Sequence, residues 1–342
     1  MRFGLALPHY DTSFAGHPAR WESVRDVALA AERSGFDSVY VSDHFFLDWG
    51  KYGGSDDVQG SLECWTTLSA LAASTDHIRL GTLTLCNDFR NPALLAKMAA
   101  TLDLLSGGRL DVGLGAGWYE PEYVATGIPF ERPGVRIERL SEALQIVTRL
   151  LAGERLDFDG RHFKTDGGLA RPRPAQQPRP QVFVGGKGDR LITTAVRHAD
   201  GWNMSWLGSF DAYRERVQFA HAACERERRD PSTFRRSVGV YLLAGSDDRD
   251  ANRRFERLID RTPSGVLRRA NGNSAVSWEE FRRDKVAGAK SEVIERLGDL
   301  ESLGVEEVIV GLGAVPFQVA DIEDVEFVGA EIASAFRSEV AT

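Results

Sequence analysis

Little in this chain points to disulfide, metal or membrane chemistry. Its three cysteines, Cys64, Cys86 and Cys224, are far apart and odd in number, which fits free thiols in a reducing compartment better than a disulfide framework. Their spacing is not that of a zinc site, so no metal is expected. No run of about 18 apolar residues occurs, so no membrane span is expected. The opening residues, MRFGLALPHYD, hold no charged segment followed by a long apolar run, and a cytoplasmic location is the expectation. Basic charge is short as well. The 42 Lys and Arg against 50 Asp and Glu leave a net charge of −8, which argues against a general nucleic-acid binder, whose basic face must neutralise phosphates. Lysine is the scarcer base, with 6 Lys against 36 Arg, the bias that a GC-rich genome produces.

What is present is an ordinary globular composition, 42% hydrophobic and 27% charged over 342 residues. That length exceeds an average domain but fits one α/β barrel with insertions. Phe3 to Leu7 is an apolar strand, and Val24, Val27, Ala28 and Ala31 then recur at helical spacing until Gly35. Ser38 to Val41 and Ile78 to Leu85 are the next strands. The helix Leu62 to Ala73 lies between them after a polar, Gly-rich loop, Asp48 to Gly60. Asn91 as N-cap and Pro92 at the first helical position open a third helix that Gly107 ends.

Leu110 to Leu114 is the fourth strand, followed by the helix Val135 to Leu151. An insertion over 153–180 then carries Asp159-Gly160, a type I′ hairpin signal between Leu156 to Phe158 and His162 to Lys164, and a Pro-rich connector. Strands at Gln181, Gly201, Ser237 and Glu307, with helices Leu191 to His198, Ala212 to Arg228, Ser291 to Leu303 and Glu326 to Phe336, complete eight of each. This alternation predicts a parallel (β/α)8 barrel, one domain over 1–342, with a mobile lid within Arg249 to Lys290.

In such barrels the active site lies at the C-terminal strand ends, where two glycine-rich segments fall. Leu110 to Trp118, LDVGLGAGW, places Gly113, Gly115, Ala116, Gly117 and Trp118 there. Val182 to Gly188, VFVGGKG, places Gly185, Gly186, Lys187 and Gly188. Glycine lets backbone approach a planar or phosphorylated ligand, so the pair suggests one anionic cofactor, although ordinary tight turns use glycine too. Neither segment completes a GxGxxG fingerprint or a Walker A motif.

Asp43 and His44 follow the second strand. His44 is the candidate proton donor or acceptor, and a histidine capping a loop is its plain alternative. His9 is a weaker candidate for the same pocket, and His77, His162, His198 and His221 are structural. Lys187, assisted by Arg190, would hold a phosphate, with a solvated loop lysine as the alternative. Trp118 and Trp202 offer flat apolar surface at the mouth.

VSDHFF at Val41 to Phe46, the long run Leu80 to Tyr123, GIPF at Gly127 to Phe130, and VFVGGKG with ADGWN at Ala199 to Asn203 resemble the luciferase-like monooxygenase superfamily. Within it, they look like the branch of coenzyme F420-dependent oxidoreductases. The resemblance covers about positions 1 to 245. It implies a TIM-type barrel holding a flavin or deazaflavin, with Asp43 at the ring system and His44 in proton transfer. It also implies a bulge with a non-prolyl cis peptide at Leu83-Thr84, with Cys86 bordering the same segment, and the phosphate near Gly185 to Gly188.

The function so implied is hydride transfer between F420 and a small organic substrate. The alternatives are an FMN-dependent monooxygenase and a flavin-binding protein without turnover. The expected partners are the small molecule alone, with no nucleic acid and no membrane, and with room for a homodimer. Two departures argue against a sugar-phosphate substrate: a tryptophan offset to Trp49, and Trp118 where sugar-phosphate dehydrogenases of this group carry a carboxylate.

Overall fold

The computed structural model describes residues 1–263, 265–267 and 275–337. Eight parallel strands pair in chain order: β1 (Arg2–Ala6), β2 (Ser38–Val41), β3 (Arg79–Thr82), β4 (Leu110–Gly115), β5 (Gln181–Gly185), β6 (Gly201–Trp206), β7 (Arg235–Gly245) and β8 (Glu307–Gly311). The ring closes where β8 lies against β1, with Leu5 opposite Val310. The residues of β2 and β8 are buried throughout, as strands covered on both faces must be.

The outer layer is α1 (Trp21–Ser34), α2 (Cys64–Ser74), α3 (Pro92–Leu105), α4 (Pro133–Leu151), α5 (Asp189–His198), α6 (Phe210–Arg226), α7 (Lys290–Ser302) and α8 (Ile322–Phe327). The longer ones each bury an apolar stripe on the strands, whereas the short α8 buries Val325. In α1 the stripe is Val24, Val27, Ala28 and Ala31, and Gly35 ends the helix at φ 103°. Asn91 caps α3 by accepting the Ala93 N–H at 2.9 Å. This is a (β/α)8 barrel, as the alternation of elements predicts.

The N-terminal end of the barrel is sealed by polar pairing, which leaves the other end for a site. Tyr40 fills the interior, and a Cβ on Gly81 would stand 2.2 Å from its ring. Glu307 accepts from Ser38 Oγ at 2.5 Å and Tyr40 Oη at 3.1 Å and pairs with Arg2 at 2.8 Å. Arg79 and Asp111 pair alongside at 2.7 Å.

Several local expectations need correction. Asp159-Gly160 is not a two-residue turn: Leu156–Asp159 pairs with Lys164–Gly168 and Asp159 faces Lys164, leaving a four-residue loop. Glu142 of α4 holds that loop open by accepting the N–H groups of Arg161, His162 and Phe163. The Asp48 to Gly60 loop contains its own ladder, Phe46–Asp48 against Val58–Gly60, closed over fully buried Trp49. The last helix starts at Ile322, ahead of Glu326, because Asp321 caps it.

Between β7 and α7 lie the helices Asp248–Asp260 and Trp278–Asp284 and a strand, Val286–Ala289, that extends the sheet beside β7. The first of these is tied down by Arg254, which pairs with Asp324 at 2.6 Å and Glu323 at 2.9 Å. Residues 264 and 268–274 of the expected lid lie outside the described residues.

Candidate active site

The strand C-terminal ends enclose a cavity of about 830 Å³. Of the residues singled out in the sequence, it brings together Asp43, His44, Leu83, Thr84, Cys86, Gly115, Ala116, Gly117, Trp118, Gly185, Gly186 and Lys187. β2 ends at Val41, so Asp43 and His44 are free of strand alternation and both reach this one space.

His44 is held by a residue the sequence did not single out. Its Nδ1–H is donated to Glu122 Oε2 at 2.7 Å, which fixes the ring and leaves Nε2 without a protein partner among the described residues. Glu122 stands in the short helix Glu120–Thr126 after the β4 glycines and is 1% exposed. Its other oxygen accepts the N–H groups of Phe45 and Phe46, so one carboxylate sets both the turn after β2 and the ring it carries. The Trp118 ring meets the imidazole edge-on at 5.6 Å.

Asp43 is already engaged. Arg90 grips it in bidentate fashion at 2.6 and 2.9 Å, and the Cys86 N–H adds a bond at 2.9 Å. Burial pushes its carboxyl above the ordinary range while Arg90 and the Cys86 N–H pull it back. With both oxygens on a guanidinium fork, the ionised form is the one this geometry holds. Asp43 therefore forms a braced wall, with Arg90 also reaching Glu63 at 2.7 Å.

The glycines make room for protein atoms as well as for a ligand. The Leu83–Thr84 peptide is cis, at the position the resemblance implies. The Thr84 side chain wedges between β4 and β5: a Cβ on Gly115 would lie 2.7 Å from Thr84 Oγ1, and one on Gly185 would lie 2.7 Å from Thr84 Cγ2. Gly117, at φ 73°, faces Tyr123 Oη. That hydroxyl meets Cys86 Sγ at 3.1 Å, and burial pushes the Cys86 thiol up to about 12, which makes it inert near neutral pH.

Four expectations are corrected by position. Trp202 is 1% exposed, stacks on Tyr213 of α6 at 6.0 Å and donates to the Gly186 carbonyl at 2.6 Å, so it belongs to the helix layer. Gly188 is the exposed N-cap of α5 and does not line the cavity. Arg190 faces Glu138 at 3.6 Å on the surface. His9 is buried beneath the floor, donating from Nδ1 to the Leu7 carbonyl at 2.8 Å and accepting from Ser42 at 2.9 Å. Burial lowers its pKa to about 4.

Lys187 sits at the rim, its ammonium donating to the Trp206 carbonyl at 2.7 Å. Lys51, unnoticed in the sequence, lies over the Trp118 ring at 3.9 Å and presses the Lys187 pKa down, secondary to burial. Tyr10, Tyr119, Trp206, Tyr241, Lys285 and Phe317 also line the cavity without a local sequence signal. Among the described residues no cluster of His, Cys, Asp and Glu is placed to hold a metal, and no helix is long and apolar enough to cross a membrane.

A family model described as luciferase-like monooxygenase matches residues 1–321. An F420-dependent hydroxymycolic acid dehydrogenase from Mycobacterium tuberculosis is 31% identical over 297 residues, 85% of this chain and 76% of that protein. An F420-dependent glucose-6-phosphate dehydrogenase from Gordonia bronchialis is 29% identical over 83% of this chain and 85% of its own. Among solved structures, the monooxygenase RslO1 from Streptomyces bottropensis superposes with a TM-score of 0.75 at 23% identity, over 98% of this chain and 100% of that one, a likeness of fold.

Proposed function

This chain belongs to the luciferase-like monooxygenase family and is an oxidoreductase of that family, and we propose that it transfers a hydride between coenzyme F420 and a small organic substrate. The observation that carries the reading is the His44–Glu122 pair: an imidazole locked through Nδ1, with Nε2 open to the cavity, beside a floor built of Thr84 and glycine. When bound, F420 supplies a carbon centre that exchanges hydride and reacts poorly with oxygen. The cavity fits such an anionic, planar group, since Lys51 and Lys187 stand at its rim without a carboxylate within 4 Å among the described residues.

In this reading His44 Nε2 gives or takes the proton that accompanies the hydride, and Glu122 keeps the ring oriented. Asp43, clamped by Arg90, walls the ring system. Lys187 holds the phosphate through charge-assisted hydrogen bonds.

Fluorescence titration of the purified protein with F420 and, separately, FMN tests the proposal. Binding of F420 at micromolar or tighter affinity, with FMN weaker, is the expected result. A clear preference for FMN would replace hydride exchange with a monooxygenase reaction.

A further inference from the structure

One wall of the cavity has no part in the proton chemistry above, and we infer that it takes an amphipathic organic acid: an apolar body against Trp206 and a carboxylate on Lys285. The inference rests on the proposed function only in assigning the opposite wall, from β2 to β5, to the cofactor.

Trp206 reaches this wall through a break in β6. The register with β7 shifts between Asn203 and Trp206, where Ser205 takes φ 63° and gives its N–H to Asn203 Oδ1 at 2.5 Å. The shift turns Trp206 into the cavity, where it stacks on Tyr241 at 4.8 Å and meets Phe317 edge-on at 5.8 Å. Val266, Leu267 and Phe281 continue the same surface. Such a wall offers dispersion contact and almost no hydrogen bonds.

Its unpaired charge is Lys285. The ammonium lies over the Tyr241 ring at 4.4 Å, half-buried, with no carboxylate within 4 Å among the described residues. Its acidic neighbour on the wall, Asp284, is turned to Arg283 at 3.3 Å. On the outer surface Lys164 pairs with Asp159 and Lys290 with Glu331, whereas Lys285, like Lys51 and Lys187 at the opposite rim, faces the cavity without such a partner among the described residues. Burial lowers the Lys285 pKa, a cost that an incoming anion would offset. A hydroxyl-rich sugar phosphate would satisfy Lys285 but strand its hydroxyls against aromatic faces. A hydrophobic acid satisfies both.

The test is calorimetric titration of F420-saturated protein with decanoate, methyl decanoate and glucose 6-phosphate, repeated on the cofactor-free protein. Decanoate is expected to bind about tenfold tighter than its ester, and glucose 6-phosphate more weakly than either. Lys285→Met should remove the roughly tenfold acid advantage while leaving the ester and the F420 affinity unchanged. Trp206→Ala should weaken acid and ester alike. Equal affinity for acid and ester, an unchanged Lys285→Met, or tighter binding of glucose 6-phosphate would overturn the inference. Failure of F420 to bind, with Lys285-dependent decanoate binding intact on the cofactor-free protein, would count against the cofactor reading instead.

Discussion

His44 and Glu122, 78 positions apart in the chain, meet at 2.7 Å, and that contact sets which imidazole nitrogen faces the cavity. The carboxylate borders the cavity but is 1% exposed, with one oxygen on the His44 ring and the other on the backbone of Phe45 and Phe46. Its influence on the reaction is expected to pass through His44.

His44→Ala should therefore lower turnover by roughly 10²–10⁴-fold with little loss of F420 affinity. Glu122→Gln should lower it by about 10–100-fold, and the double variant should be no worse than His44→Ala alone. Single-turnover rates of F420 reduction or oxidation on an accepted substrate decide the matter. Multiplying effects in the double variant would show that Glu122 acts independently.

Lys187→Met should weaken F420 binding about fivefold, or ~1 kcal/mol, since its ammonium is exposed and solvent screens it. Raising the salt concentration should weaken the wild type by a similar factor and the variant much less. A titration in which variant and wild type coincide at low salt would leave Lys187 a solvated loop residue.

His9 makes stability depend on pH in a defined window. Its pKa falls from the ordinary 6.5 to about 4 because burial disfavours the imidazolium. Below pH 6.5 the unfolded chain takes up a proton that the native state refuses, so stability is lost as pH drops toward 4. The loss is on the order of 3 kcal/mol. Urea unfolding of wild type and His9→Gln at pH 7 and 4.5 should show the variant losing less; parallel losses would contradict a neutral buried His9.

Gly117→Ala should destabilise the fold by about 1–3 kcal/mol. The added Cβ would fall 1.9 Å from Tyr123 Oη and 2.9 Å from Cys86 Sγ, at a φ of 73° that an L side chain rarely adopts. Pushing Tyr123 aside also opens Cys86, so thiol-reagent labelling of the native protein should speed up along with the fall in melting temperature. A variant with unchanged melting and labelling would place Tyr123 away from this glycine.

The elements and their order were legible because burial leaves a period in the sequence. β2 and β8 are buried throughout and carry Val39, Val41, Val308, Ile309 and Val310, α1 repeats at helical spacing, and Asn91-Pro92 announces α3 with a cap and a preset φ. Strand ends rich in glycine then marked the correct end of the barrel, and Asp43, His44 and Lys187 were found because they follow those ends directly.

The contacts that give the site its chemistry join distant segments and leave no such period. Trp202 and Trp206 share one face of a regular strand, yet the irregularity at Ser205 sends one ring to α6 and the other into the cavity. Gly115 and Gly185 are glycine because Thr84, from the segment that follows β3, occupies the space where their side chains would stand. By itself the sequence determined the barrel, since hydrophobic periodicity is a local property. Only the tertiary structure decided that Glu122 holds His44, that Arg90 braces Asp43 and that Lys285 lies over Tyr241 without a carboxylate partner among the described residues, because each depends on distances between residues the chain brings together only by closing the ring.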